Sequence, residues 1–204
     1  MNGAQDVRLL IHRPSPDVKG LPAILYCHGG GFVAGTPDMM AVASMKLASE
    51  QNAVVIAIKY RLAPETPFPG PVEDYFAALK WMAAEADTLG IDVARIVSFG
   101  QSAGGGLAAA TAQMALDRNG PALKVRFLLY PMLDARTGTG EAPIDNPVTG
   151  TFGGGERPTC SPGRPCVARW DASGKSWPFL ASRGEFAGGL AGDLHRGWIA
   201  RPLS

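Results

Sequence analysis

The chain has 204 residues, 46% of them apolar, and 19 Lys and Arg against 18 Asp and Glu give a net charge of +1. That balance argues against a nucleic-acid or polyanion partner, and the length makes a single domain the first expectation. No run reaches the roughly 18 apolar residues of a membrane span, and no basic-then-apolar leader opens the sequence.

Cys27, Cys160 and Cys166 form neither a disulfide framework nor a zinc spacing. The sequence therefore predicts a cytoplasmic, reduced setting with no metal and no cofactor. Cys27 lies in an apolar run and is expected to be a small buried side chain.

Val7, Leu9 and Ile11 alternate with residues of the opposite face, which predicts a first strand; Ser15-Pro16-Asp17 and Lys19-Gly20 then make a turn. The continuous apolar run 23–27 predicts a strand buried on both faces, and it leads straight into His28-Gly29-Gly30-Gly31-Phe32. Asp38 is expected to N-cap a helix that runs through Gln51, with Met39, Val42, Met45 and Leu47 on its apolar side. Residues 54–58 predict a second buried strand. Four prolines between 60 and 71 predict an extended loop, followed by a helix over 72–86 that Gly90 stops.

Residues 95–99 form the next strand, and the alanine-rich run 103–117 the next helix, ending near Asn119-Gly120-Pro121. Between them stands Gly100-Gln101-Ser102-Ala103-Gly104. An apolar strand, a glycine-flanked serine and a helix are the context that makes G-x-S-x-G a nucleophile elbow, a turn that lifts a serine hydroxyl above the sheet edge. The turn also sets the Ala103 N–H at a helix N-terminus, where it can stabilise an oxyanion. Residues 125–130 predict one more buried strand. Strands alternating with helices imply right-handed crossovers and an α/β fold with a mostly parallel sheet and helices on both faces.

The two glycine-rich segments follow two different strands, so at the carboxyl edge of a parallel sheet they converge. A phosphate cradle is disfavoured at 28–32, because no Lys-Ser or Lys-Thr follows the glycines. The side-chain-free backbone of 29–31 can instead approach a substrate carbonyl closely.

Four ordered motifs carry a family resemblance: His28-Gly29-Gly30-Gly31-Phe32, Tyr60-Arg61-Leu62-Ala63-Pro64-Glu65, Gly100-Gln101-Ser102-Ala103-Gly104-Gly105 and Tyr130-Pro131-Met132-Leu133-Asp134. Together they resemble the hormone-sensitive-lipase-like branch of the α/β-hydrolases, over roughly residues 7–152. The resemblance implies an α/β-hydrolase core over 1–152 and hydrolysis of a small-molecule carboxylic ester. Ser102 would be the nucleophile, and Gly30, Gly31 and Ala103 the oxyanion donors. His28 and Gly29 would shape the loop, and Arg61 and Glu65 would tie the proline-rich loop down. An oligomer is compatible with this reading.

The sequence departs from the branch in four respects. Gln101 stands where an acidic residue is usual, Thr66 stands where His is common, the N-terminal cap segment is absent, and nothing after Phe152 matches. Residues 153–204 hold ten glycines, five prolines and three of the four tryptophans, without apolar period. This segment is expected to be a disordered or out-of-frame tail, leaving the C-terminal part truncated or scrambled. Allowed codons for 190–204, read one base later, can spell a strand and aspartate like the family's own.

The family's acid and base belong in this region, and the sequence leaves both unassigned. His195, preceded by Asp171 and Asp193, comes late enough in the chain but has no strand before it. Without a base the serine is a poor nucleophile, so activity is expected to be impaired. Two alternatives remain at this level: a non-catalytic small-molecule binding protein on the same fold, as in the plant gibberellin receptors, and an inactive fragment.

Overall fold

The computed structural model describes residues 6–133. Asp134, Cys160, Cys166, Asp171, Asp193, His195 and the whole segment 153–204 lie outside the described residues, and with them every expectation about the tail.

Among the described residues, five strands form one sheet in the order β1-β3-β2-β4-β5. They are β1 (Leu9–His12), β2 (Leu21–Cys27), β3 (Val54–Ile58), β4 (Ile91–Gln101) and β5 (Val125–Leu129). β1 runs antiparallel to β3, and the other pairings are parallel. β2 and β3 are the continuous apolar runs of the sequence, and β3 is buried along its whole length because both faces and both edges are covered.

The α-helices among the described residues are α1 (Ala41–Gln51), α2 (Gly70–Ala84), α3 (Ala86–Leu89) and α4 (Ala103–Asp117). α2 and α4 pack together on one face of the sheet, α4 over β4 and β5. The Tyr75 hydroxyl, fully buried, donates to the Leu25 carbonyl at 2.6 Å and shares a 3.1 Å hydrogen bond with Ser98 Oγ, fastening α2 to β2 and β4. The single helix expected over 72–86 is split: α2 ends at Ala84, and the short α3 closes on Gly90, whose φ of 62° ends it.

Helices stand on both faces, but unequally. α1 lies over the β1–β3 end of the second face. Along β4, Ile96, Ser98 and Gly100 are buried, while Val97, Phe99 and Gln101 between them are only half-buried. The expectation of a fully buried last strand is corrected likewise. Every residue of β5 is half-buried or exposed, with Phe127 50% exposed, because among the described residues β5 pairs on one side only.

The expected α1 is also corrected at its start and on its face. A short 3-10 turn, Pro37–Met40, precedes the α-helix, and Asp38 caps nothing with its side chain. Its carboxylate takes a paired hydrogen bond from the Arg8 guanidinium, 2.9 Å on each oxygen. Met39 and Val42 are each 76% exposed and Met45 is 51% exposed, whereas Ser44 and Ala48 face the sheet. Small side chains let the helix axis come close to β-strands, and three long ones would hold it away. α2 begins at Gly70, two residues earlier than expected, because Pro71 fits a first helical turn, where its missing N–H has no intrahelical partner to lose.

The loop anchor is corrected as well. Arg61 pairs with Asp74 on α2, not with Glu65, which is exposed. Asp74 is 4% exposed and accepts hydrogen bonds from the Arg61 backbone N–H at 2.9 Å and from its guanidinium at 2.6 Å. A buried carboxylate needs this many donors, and the pairing draws the proline-rich loop onto α2.

Candidate active site

Ser102 sits between β4 and α4 at φ 53° and ψ −122°. For a residue with a Cβ this conformation is strained, and its neighbours hold it there. The Ser102 N–H donates to the Leu129 carbonyl at 2.9 Å, and the Ser102 carbonyl accepts from Met132 N–H at 3.0 Å and Gly106 N–H at 3.1 Å. The side chain is half-buried, so its hydroxyl is not sealed in the core. Ala103 opens α4, and its N–H belongs to the donors that a helix leaves unpaired at its first turn.

The glycines around the serine answer to close approach. A Cβ on Gly104 would come within 2.5 Å of the His28 carbonyl oxygen and closer still to that of Cys27. A Cβ on Gly100 would stand 2.7 Å from the Gly105 nitrogen and closer to the Gly104 carbonyl. The elbow therefore touches the stem of the 28–32 loop backbone to backbone. The contact is reciprocal: a Cβ on Gly29 would lie 3.4 Å from the Ser102 Cβ and 3.2 Å from the Gln101 carbonyl oxygen.

Beyond that contact the loop turns. The Gly30 carbonyl accepts from Val33 and Ala34 at 3.1 and 3.0 Å. The N–H groups of Gly30 and Gly31 meet no acceptor among the described residues. These two donors belong to the loop whose stem touches the serine turn.

His28 holds the loop from behind. It is 3% exposed and stacks on Tyr60, with ring centroids 4.4 Å apart and planes 19° apart. Nδ1 donates to the Gly29 carbonyl at 2.7 Å, and the Tyr60 hydroxyl donates to the His28 carbonyl at 3.1 Å. Burial pushes the imidazole pKa below its ordinary value, the hydrogen bond to Gly29 opposing this only in part. The ring is thus a neutral spacer.

This placement predicts a pH dependence. As pH falls through about 6.5, the unfolded chain takes up a proton at this histidine before the folded one does. Folding stability is therefore expected to decline from about pH 6.5 downwards until the lower folded pKa is reached. Urea midpoints at pH 7.5 and 5.5 check it: the drop in the parent chain should shrink in His28→Asn. An equal drop in both would assign it to other groups.

Gln101 is the site residue whose partners the sequence does not disclose. Its side-chain Nε2 faces Met40 Sδ at 3.8 Å, and its Oε1 accepts from the Tyr130 hydroxyl at 3.3 Å. Cys27 is fully buried, and burial raises its thiol pKa. His12 stands on β1, at the sheet edge opposite β5.

A strand-turn-helix serine facing a glycine loop defines a class, and comparison with known proteins identifies it. The chain belongs to the alpha/beta hydrolase fold family, whose sequence model matches residues 24–151. It is 43% identical to Esterase LipI of Mycobacterium tuberculosis over 116 residues, 57% of this chain and 36% of that one. It is 39% identical to Ethyl acetate hydrolase of Pseudomonas putida over 128 residues, 61% of this chain and 40% of that one. An esterase structure from Pyrobaculum calidifontis superposes with a TM-score of 0.61 at 45% identity, covering 63% of this chain and 42% of that one. The match thus spans less than half the length of each of these relatives. The resemblance to the hormone-sensitive-lipase-like branch holds, carried by relatives named esterase, carboxylesterase and arylacetamide deacetylase. Among the described residues no helix is long and apolar enough to cross a membrane.

Proposed function

We propose that residues 1–152 are the nucleophile-bearing core of a carboxylic ester hydrolase. The observation that carries the reading is the contact of the Ser102 turn, held at φ 53°, with Gly29 at the stem of the glycine loop, where a Cβ on Gly29 would lie 3.4 Å from the Ser102 Cβ. Ser102 Oγ adds to the ester carbonyl carbon, and its proton passes to a base. Negative charge gathers on the carbonyl oxygen and is met by the amides of Gly30, Gly31 and Ala103. The alcohol then leaves, and water releases the acid from the acyl-serine. One such donor typically stabilises the transition state by about 2.7–4 kcal/mol.

Turnover is expected to be slow. Of the two histidines among the described residues, His28 is enclosed, its Nδ1 hydrogen-bonded to Gly29, and His12 lies across the sheet. Removing the serine or histidine of a related triad costs on the order of 10⁶ in turnover, and the rest of the site still leaves roughly 10³–10⁴ over water.

The reading is tested with p-nitrophenyl acetate and the full chain. A burst approaching one p-nitrophenol per chain, absent in Ser102→Ala, supports it. An equal p-nitrophenol yield from both proteins would sink it, as would tight binding of a small ligand with no acylation at all.

A further inference from the structure

The side chain of Gln101 reaches two segments that flank the turn at Ser102 and lies near a third. Gln101 is the last residue of β4 and sits in register with Leu129. Its side chain lies on the same sheet face as Phe99, where Met40 also packs. From there Nε2 reaches Met40 in the 3-10 turn at 3.8 Å, and Oε1 reaches the Tyr130 hydroxyl beyond β5 at 3.3 Å. Its Cγ would lie 3.7 Å from a Cβ on Gly29. Met40 follows the glycine loop and Tyr130 follows β5, so this one amide spans the chain on either side of the nucleophile.

We propose that Gln101 is a positioning residue that sets the spacing between the glycine loop and Ser102. The inference rests on the ester-hydrolase reading for its kinetic consequence, but not for its structural one. A glutamine suits the place because it presents an acceptor at one end and a donor at the other. A carboxylate there could accept from Tyr130 but would offer Met40 nothing. The stem of the glycine loop is held by backbone contact with the elbow and by Tyr60, whereas the Gly30 and Gly31 amides at its tip meet no acceptor among the described residues. Oxyanion donors work only near 2.7–3.1 Å from the developing charge, so a small drift of the loop lowers the rate before it lowers substrate binding.

The test is a double-mutant cycle on the rate of Ser102 acylation by p-nitrophenyl acetate in the full chain. Gln101→Leu and Tyr130→Phe are each expected to slow acylation about five- to tenfold with KM within about twofold of the parent. The double variant should be no slower than the slower single, because both remove the same tie. Multiplying effects, an unchanged acylation rate, or a change confined to KM would overturn the proposal.

If the parent chain is not acylated at all, the ester-hydrolase reading fails and amide hydrogen exchange decides the spacing role. Faster exchange over residues 28–36 in Gln101→Leu, with an unchanged urea midpoint, supports it. Unchanged exchange there, or a general loss of protection with a lowered midpoint, overturns it.

Discussion

Gly104→Ala is expected to cost about 3 kcal/mol of folding stability, at the upper end of the usual cost of overpacking and a large part of a total of about 5–15 kcal/mol. The new methyl would come within 2.5 Å of the His28 carbonyl oxygen and closer to that of Cys27. Neither can swing aside as a flexible side chain can. Cys27 ends β2, and its register partner on β4 is Gly100, so relief would require the central strands to part. His28 O already accepts from the Tyr60 hydroxyl, so moving it also costs that hydrogen bond.

Gly20→Ala is the control. Gly20 has a φ of 65° with nothing within 4 Å of an added Cβ, so only backbone strain of about 1–2 kcal/mol applies there. Urea midpoints of the two variants should differ clearly, with Gly104→Ala much the lower. Similar midpoints would mean that the elbow and the loop stem are not in hard contact. Any folded Gly104→Ala chain should also lose Ser102 acylation, because the displaced backbone is the stem of the glycine loop.

How much of this was legible beforehand depends on whether a residue's fate is decided locally. α4 falls on residues 103–117 as the sequence predicts, because Ser102 cannot continue β4 at φ 53° and the alanine-rich run can only be helix. β2 and β3 were equally plain, since a parallel strand covered on both faces must be apolar throughout. The nearness of the glycine loop to Ser102 follows from topology, because loops after adjacent parallel strands share a sheet edge.

What stayed hidden was decided at long range. Asp38 has the sequence context of a helix cap, but Arg8 lies across from it in the fold and takes its carboxylate. Met39, Val42 and Met45 have the spacing of a core face, yet the sheet admits the shorter Ser44 and Ala48. Arg61 had an acid close by in Glu65, while the partner it uses is Asp74, 13 residues on. The available signal was that Asp74 stands among Val72, Tyr75 and Phe76, which α2 buries, since a carboxylate in such a place must find a cation. For Gln101 the signal was only its place beside Ser102, and its partners come from segments 61 and 29 residues away.

Ser102→Gly should abolish acylation and raise stability together. The hydroxyl is the proposed nucleophile, so no acyl-serine forms and the p-nitrophenol burst disappears. The stability change has a separate cause. At φ 53° and ψ −122° a serine carries backbone strain of about 1–3 kcal/mol, and glycine does not. Glycine loses more conformational entropy on folding, which offsets about 0.5–1 kcal/mol of that gain. The net expectation is a stabilisation of about 1 kcal/mol, read as a higher urea midpoint at unchanged slope. Ser102→Ala removes the same hydroxyl but keeps the Cβ, so it should lose the burst without gaining stability. The pair separates chemistry from backbone geometry: a loss of stability in Ser102→Gly would mean that the elbow stores no strain, and a surviving burst in either variant would mean that another group is acylated. A positive φ held by the three backbone hydrogen bonds to Leu129, Met132 and Gly106 is what links the two effects, because those bonds fix the turn that exposes the hydroxyl.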